Sequence, residues 1–343
     1  MATAAMAARA KAGPGWFGVL LRRREVATLL LLLVVMAVTA AIEPRFLNRN
    51  SIRSILLWVP LLAIVGMGEM MVLIIRGIDV SVGSMVGLAG MIVGLVFRDA
   101  PGVPLWACVL LSITLGMGMG ALNGALIAWV GVPAVIVTLG GLSFYRGLTF
   151  LLTQGSQIDG NFIPKALVHW SQTGPFGIYL VPWIVLIVAG VALVTWLFLR
   201  YRRMGRNVYA LGSNPEAARL RGVPVQRVTF VVYLITGALC GFAGILYASR
   251  FGFMNPGQTG VGLEMSVIAA VVIGGVNVFG GSGSVVGVLL GCLLLGAINV
   301  ALPVLGIAGA WQQAVYGVVI LMAVLADSLL LKQMQGGRAD EWA

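Results

Sequence analysis

Charge is what this chain has least of. Only 10% of its 343 residues are Asp, Glu, Lys or Arg, while 60% are hydrophobic and the mean hydropathy is +1.02. A soluble domain carries about 25% charged residues. A water-covered globular protein is therefore excluded, and the apolar surface has to face lipid or other helices. Reactive groups are equally scarce. The single His169 lies in a polar connector without ligand companions, and Cys108, Cys240 and Cys292 each lie inside an apolar run. None makes a CxxC pair or a metal spacing, so the cysteines read as small packing residues and metal chemistry has no support. There is no GxxxxGK[ST] phosphate loop and no nucleophile–base constellation. The chain thus lacks the means to hydrolyse ATP itself, and no cofactor is expected.

The charge that is present is basic and unevenly placed. The 22 basic residues outnumber 11 acidic ones, for a net charge of +11. Seven of them, Arg200, Arg202, Arg203, Arg206, Arg219, Arg221 and Arg227, fall in one loop, and Arg22, Arg23 and Arg24 cluster near the start. Basic residues in short loops orient a membrane protein with those loops in the cytoplasm. No basic stretch is long or interleaved with exposed aromatics, so nucleic acid is not an expected partner.

Apolar runs lie near 26–43, 54–75, 81–97, 104–130, 134–153, 178–199, 228–249, 264–280, 285–303 and 310–330. A membrane helix needs about 20 such residues. The expected fold is an all-α integral membrane protein with about ten transmembrane helices, a cytoplasmic tail at 1–25, a transmembrane domain at 26–330 and a second cytoplasmic tail at 331–343. Six spans precede the 200–227 loop and four follow, so both termini and that loop share the cytoplasmic side. The basic N-terminal stretch "MATAAMAARAKAGPGWFGVLLRRR" leads into a run long enough to span, which reads as a tail and first helix rather than a cleaved signal peptide. One stretch resists: "PRFLNRNSIR" (44–53) carries Arg45, Arg49 and Arg53 yet is expected outside.

Four motifs interrupt the apolar background. In "IIRGIDVSVGSM" (74–85), Arg76 and Asp79 are three apart, close enough to pair along one helical face, and Asp79 or Ser81 is placed to cap the next helix. Two readings stand, a capped cytoplasmic turn and a substrate contact, with the turn preferred. Glu69 lies deep in an apolar run. An ionised group at mid-span costs about 2.5–3.5 kcal/mol, so such a residue faces a polar neighbour or water, which makes Glu69 the better pathway candidate. In "VTLGGLSFYRGL" (137–148), Tyr145 and Arg146 are either an interfacial aromatic with a snorkelling arginine or path residues. Glu264 opens a span at "GLEMSVIAA", where the helix dipole favours a carboxylate. The fourth, "RMGRNVYALGSNPEAARLRGVPVQ" (203–226), has Asn214 as N-cap, Pro215 at the first helical position, Glu216 in the first turn and Gly222 after the end. That is a short helix between two spans. It is too short and Ala-rich to hold lipid well, so it is suited to docking a partner.

A possible internal echo sets "RGIDVSVGSMVGLAGMIVG" (76–94) against "GGVNVFGGSGSVVGVLLGCLLLG" (274–296), pairing Asp79 with Asn277. Transporters are often built from such repeats, with interrupted helices at matching positions, although Gly-rich spans also arise without one.

The segment "EAARLRG" (216–222) resembles the EAA…G loop of permease subunits from bacterial ABC importers. "RGIDVSVGSMVGLAG", "VTLGGLSFYRGL", "GSNPEAARLRGV" and "IAAVVIGGVNVFGGSGSVVG" look like successive blocks of the ribose/xylose/arabinose-type sugar permeases, in the family order, over about residues 50 to 330. The chain departs at Arg76, where many members carry a second Gly. An Arg there is similar to permeases for deoxysugars such as rhamnose and for the sugar-like autoinducer. The resemblance implies a multi-pass subunit of the bacterial inner membrane that imports a monosaccharide by alternating access. It also implies a second permease copy or homologue, two cytoplasmic ATPase subunits and a periplasmic sugar-binding protein. The ATPase-coupling residues would be Asn214, Glu216, Ala217, Ala218, Arg219 and Gly222. The path or gate candidates are Glu69, Arg76, Asp79, Ser81, Tyr145, Arg146 and Asn277. The rival expectations are an ion-coupled secondary transporter, which has no use for the docking helix, and a membrane scaffold without transport.

Overall fold

The computed structural model describes residues 24–175, 180–311, 313–318, 321–322 and 325. Most of the expected 1–25 tail and all of the 331–343 tail lie outside the described residues. The described chain is helical, and its only extended pairing is an isolated antiparallel bridge between Ile158 and Met254. Among the described residues, eight helices are long and apolar enough to cross a membrane. In lipid, helices satisfy every backbone group internally, which is why the apolar runs take this form.

In chain order these are α1 (Arg24–Ile42), α2 (Arg49–Ile74), α3 (Val82–Asp99), α4 (Leu105–Ala125, continued by a π-turn over Leu126–Val130) and α5 (Ala134–Thr153). A short α6 (Lys165–Gln172) precedes α7 (Trp183–Tyr201). The expected 200–227 loop is itself mostly helical: α8 (Arg203–Ser213) and α9 (Pro215–Leu220) lie between the spans. Then come α10 (Val225–Phe251), α11 (Leu263–Ile273) and α12 (Val285–Val304). Helical residues resume at 310. The run expected at 264–280 stops early, because α11 ends at Ile273 after 11 residues. Gly274 and Gly275 break it, with Gly275 at φ +87°.

Helix α2 is the axle of the bundle. It packs against α10, α12, α11 and α7, and every residue from Val59 to Ile74 is buried. By contrast α1 shows lipid-type side chains, with Leu29, Leu30, Leu31 and Leu33 all exposed. The most extensive packing joins α4 to α10 through facing glycines. A Cβ on Gly116 would lie 2.1 Å from the Gly237 carbonyl oxygen, and a Cβ on Gly237 2.2 Å from that of Gly116. Small residues let membrane helices approach closely enough for dispersion to hold them without a hydrophobic driving force. The anomalous 44–53 segment is tied to the opposite end of the bundle, where Arg53 donates to the Gln172 carbonyl at the end of α6.

Two non-helical breaks sit at one end of the bundle, between α2 and α3 and between α11 and α12. They close the same way. Arg76 N–H donates to the Leu73 carbonyl (2.9 Å) and Gly77 N–H to that of Val72 (2.9 Å). Gly275 N–H donates to Val272 (2.9 Å) and Val276 N–H to Val271 (3.3 Å). Both are Schellman corners, with a left-handed residue just past the helix. The echo in the sequence thus has a structural counterpart, but in a register one residue off. Arg76, not Gly77, is the partner of Gly275, so Asp79 and Asn277 do not occupy equivalent positions.

Candidate functional site: the breaks, the short helix and the cavity

The first break carries a buried polar chain. Glu69, on the last turns of α2, accepts the Asp79 N–H through Oε1 at 3.1 Å. Asp79 Oδ1 accepts from the Ser81 N–H (2.9 Å) and hydroxyl (2.5 Å). Asn123 of α4 donates from Nδ2 to the Ser81 hydroxyl (2.9 Å), and its Oδ1 accepts from the Tyr145 hydroxyl of α5 (2.9 Å). Thr138 of the same helix donates to the Ile78 carbonyl at 3.2 Å. All of these side chains are buried. Glu69, Asp79, Ser81 and Tyr145, contributed by separate stretches of the sequence, are therefore one cluster. It braces an irregular backbone that would otherwise leave peptide groups unsatisfied at membrane depth. One oxygen of Glu69, Oε2, and one of Asp79, Oδ2, have no hydrogen-bond partner. Asn123 is the hub that sequence reading missed. Its only signal is a primary amide inside an apolar span, flanked by Gly120 and Gly124.

Arg76 does not pair with Asp79. Its Nε donates to the Gly212 carbonyl (2.7 Å) and its Nη2 to that of Ser213 (2.9 Å), at the C-terminal end of α8. The negative end of a helix favours a cation there. The same spot receives the second break: Gly281 N–H donates to the Ile74 carbonyl (2.9 Å), and Tyr209 of α8 donates to the Gly283 carbonyl (2.9 Å). Burial pushes the Tyr209 phenol above its ordinary pKa. Gly212 lets three backbones meet, since a Cβ there would lie 1.8 Å from the Ile74 carbonyl oxygen. Asn277 lies within the second break, where its Oδ1 accepts the Phe279 N–H (2.9 Å), apart from the Asp79 cluster.

Beyond this junction comes α9. Asn214 Oδ1 accepts the Ala217 N–H (3.0 Å), Pro215 takes the first position, and Gly222 at φ +76° ends the helix, as the sequence motif predicts. Ala218 is its buried anchor. Glu216, Arg219 and Arg221 are exposed, and Leu220 is 89% exposed, an apolar side chain presented among charges.

A cavity of about 580 Å³ lies elsewhere, between α2, α10, α11, α12 and the helical residues after 310. Trp58, Leu61 and Tyr247 form its apolar and aromatic wall. Glu264, Asn299, Gln313 and Tyr316 supply polar groups. The Asn299 amide donates to the Tyr316 hydroxyl at 3.5 Å. None of Glu69, Arg76, Asp79, Ser81, Tyr145, Arg146 or Asn277 lines it. Arg146 acts at one remove. Its Nη1 donates to the Thr259 (2.8 Å) and Pro256 (3.3 Å) carbonyls, clamping the irregular stretch that leads into α11.

A model of the family described as "Branched-chain amino acid transport system / permease component" matches residues 51–324. Among characterised proteins, the autoinducer 2 import system permease protein LsrC of Escherichia coli O9:H4 (strain HS) is 35% identical over 307 residues, covering 90% of this chain and 87% of the relative. The proteins of that name from Salmonella paratyphi B (strain ATCC BAA-1250 / SPB7) and Salmonella typhimurium (strain LT2) are 36% identical over 312 residues, covering 91% of this chain and 88% of each relative.

Proposed function

This chain belongs to the permease family of branched-chain amino acid transport systems, and from that premise we propose that it carries a sugar-like solute, of the kind related to autoinducer 2, across the bacterial inner membrane as the membrane subunit of an ATP-driven importer. The observation that carries this reading is the junction at Gly212. There α8, which runs directly into the short helix α9 between two spans, is bonded through Arg76 and Tyr209 to both helix breaks. A push on α9 by a closing ATPase reaches α3 and α12 through these bonds. Glu216 and Leu220 form the docking face, with Asn214, Ala217, Ala218, Arg219 and Gly222 shaping it. The chain supplies no ATPase of its own. Two cytoplasmic ATPases, a second permease copy or homologue and a periplasmic binding protein complete the importer, with both chain termini on the cytoplasmic side. Glu69, Asp79, Ser81 and Tyr145 hold the first break in shape, and Arg146 holds the floor of the cavity, so these residues act on the path by positioning it.

The test is the Glu216→Arg variant in proteoliposomes containing the assembled importer. Insertion and thermal stability stay at wild-type level while ATP-dependent uptake and its coupling to ATP hydrolysis are lost. Uptake that persists without any ATPase subunit, driven by an ion gradient, makes the protein a secondary transporter instead. A wild-type protein that moves no solute under either regime makes it a scaffold.

A further inference from the structure

Three polar atoms at the first break are buried with no hydrogen-bond partner: Oε2 of Glu69, Oδ2 of Asp79 and the hydroxyl of Tyr233 on α10. All three side chains are fully buried. Tyr233 points into the break, since a Cβ on Gly77 would lie 2.7 Å from its hydroxyl oxygen, and it faces both carboxyl groups. Glycines of α4 hold it there. A Cβ on Gly120 would lie 2.2 Å from the Tyr233 carbonyl oxygen, and one on Gly124 would lie 3.0 Å from the Tyr233 Cβ. The two acidic residues are bonded to each other, because Glu69 Oε1 accepts the Asp79 N–H. Cys240 of α10 also faces the pair, and Tyr145 of α5 faces Asp79. Among the described residues no lysine, arginine or histidine does so, and α7, α11 and α12 bring no titratable group to it. The Arg76 guanidinium, the nearest in sequence, is bonded to the α8 carbonyls instead.

An ionised carboxylate only accepts hydrogen bonds, and two of them buried together repel. The Tyr233 hydroxyl brings a single proton, which serves one of the bare oxygens and not both. One additional proton closes the whole set, directly or across one buried water. A protonated carboxyl then donates to the phenol oxygen, and the phenol donates to the remaining carboxylate. The same proton halves the buried charge. We propose that Glu69 and Asp79 form a one-proton site, in which Glu69 holds the proton on Oε2, Asp79 stays ionised and Tyr233 bridges them. The assignment to Glu69 follows from the donors. Asp79 Oδ1 takes two hydrogen bonds from Ser81, whereas Glu69 takes only the Asp79 backbone N–H. Loss of the proton puts two like charges at the corner that Arg76 ties to α8, so the first break is a pH-sensitive joint. The second break, wedged by glycine contacts, has no such pair. The inference concerns the brace and not the solute, and it stands without the importer reading.

The experiment is infrared spectroscopy of the full-length permease in nanodiscs, titrated from neutral to alkaline pH in sodium and in choline buffers. At neutral pH the wild type shows the C=O band of a buried protonated carboxyl, which disappears on titration as a single proton. Glu69→Gln, which keeps the acceptor and puts an amide donor in place of the acid O–H, lacks this band. Tyr233→Phe and Asp79→Asn each move it in frequency, because each alters the bond that the acid makes. Equilibrium unfolding in mixed micelles is the second readout. The native state holds a proton that the unfolded chain has released, so stability is lost as pH rises through the neutral range. The unfolding constant of the wild type therefore climbs more steeply than that of Glu69→Gln, by about tenfold per pH unit. A spectrum that Glu69→Gln leaves unchanged overturns the proposal, as do equal pH slopes in the two proteins. A band present in choline and absent in sodium also overturns it, and shows the pair holding a metal cation. A band that neither Tyr233→Phe nor Asp79→Asn moves shows an acid kept neutral by burial alone, and removes the shared site.

Discussion

The two helix breaks share a hydrogen-bonding pattern and differ in the residue at its strained position. Gly275 takes φ +87° in the second break at no steric cost, whereas Arg76 takes φ +68° in the first. A side chain in the left-handed region costs about 1–2 kcal/mol. The first break offsets that cost with two bonds from the guanidinium to the end of α8, and the second reaches α8 through Tyr209 instead. Below the corner the contrast widens. The first break rests on a buried chain of carboxylates, hydroxyls and an amide, and the second on glycine contacts, with a Cβ on Gly287 lying 2.0 Å from the Gly274 carbonyl oxygen. The lesson is that one backbone device serves two ends. The first break is wired to the end of α8 by charge, and the second is wedged by close packing.

The largest effect should come from removing the point where both breaks touch. Gly212→Val places a branched side chain against three backbones and should destabilise the protein by more than about 3 kcal/mol, read as loss of monodisperse protein in detergent. Next is the polar brace. Glu69→Ala leaves the buried Asp79 N–H without an acceptor and should cost about 1–3 kcal/mol in thermal unfolding, while Glu69→Gln, which keeps an acceptor oxygen, should stay close to wild type. Equal losses in both variants would show that the charge of Glu69, and not its acceptor, supports the break. Exchanging the corners probes the contrast directly. Gly275→Arg brings strain without the α8 carbonyls and should cost about 1–2 kcal/mol. Arg76→Gly relieves strain while losing two bonds, so its stability should change by less than about 1 kcal/mol. Its ATPase coupling should nevertheless fall, and coupling retained in full would mean that Arg76 transmits nothing. Tyr209→Phe should have the smallest effect on coupling, which is partly kept, with a stability cost of about 0.5–1.5 kcal/mol for one hydrogen bond.

Much of this was legible in the sequence because it is local. The α9 helix was readable from Asn214, Pro215, Glu216 and Gly222, since a cap, a first-position proline and a terminal glycine act within a few residues of one another. The long spans were readable because lipid demands unbroken apolar helices. What failed was non-local. Arg76 was set beside Asp79, its neighbour in sequence, whereas its partners are carbonyls 136 and 137 residues away. Asn123 gave no cue beyond being an amide in a span. Glu264 was correctly read as a carboxylate at its own helix N-terminus, but the second N-terminus beside it belongs to α3.

The sequence by itself determined that this is an all-helical membrane protein, where its long helices run and where a capped short helix stands between two of them. It did so because lipid solvation and helix capping depend on residues close in the chain. Only the tertiary structure decided which residues share a site. It fixed the repeat register at Arg76 opposite Gly275, gathered Glu69, Asp79, Ser81, Asn123 and Tyr145 into one brace, and set Glu264 between two helix ends. Those choices follow from how closely glycine-faced helices approach, a property of pairs of helices that no single stretch of sequence contains.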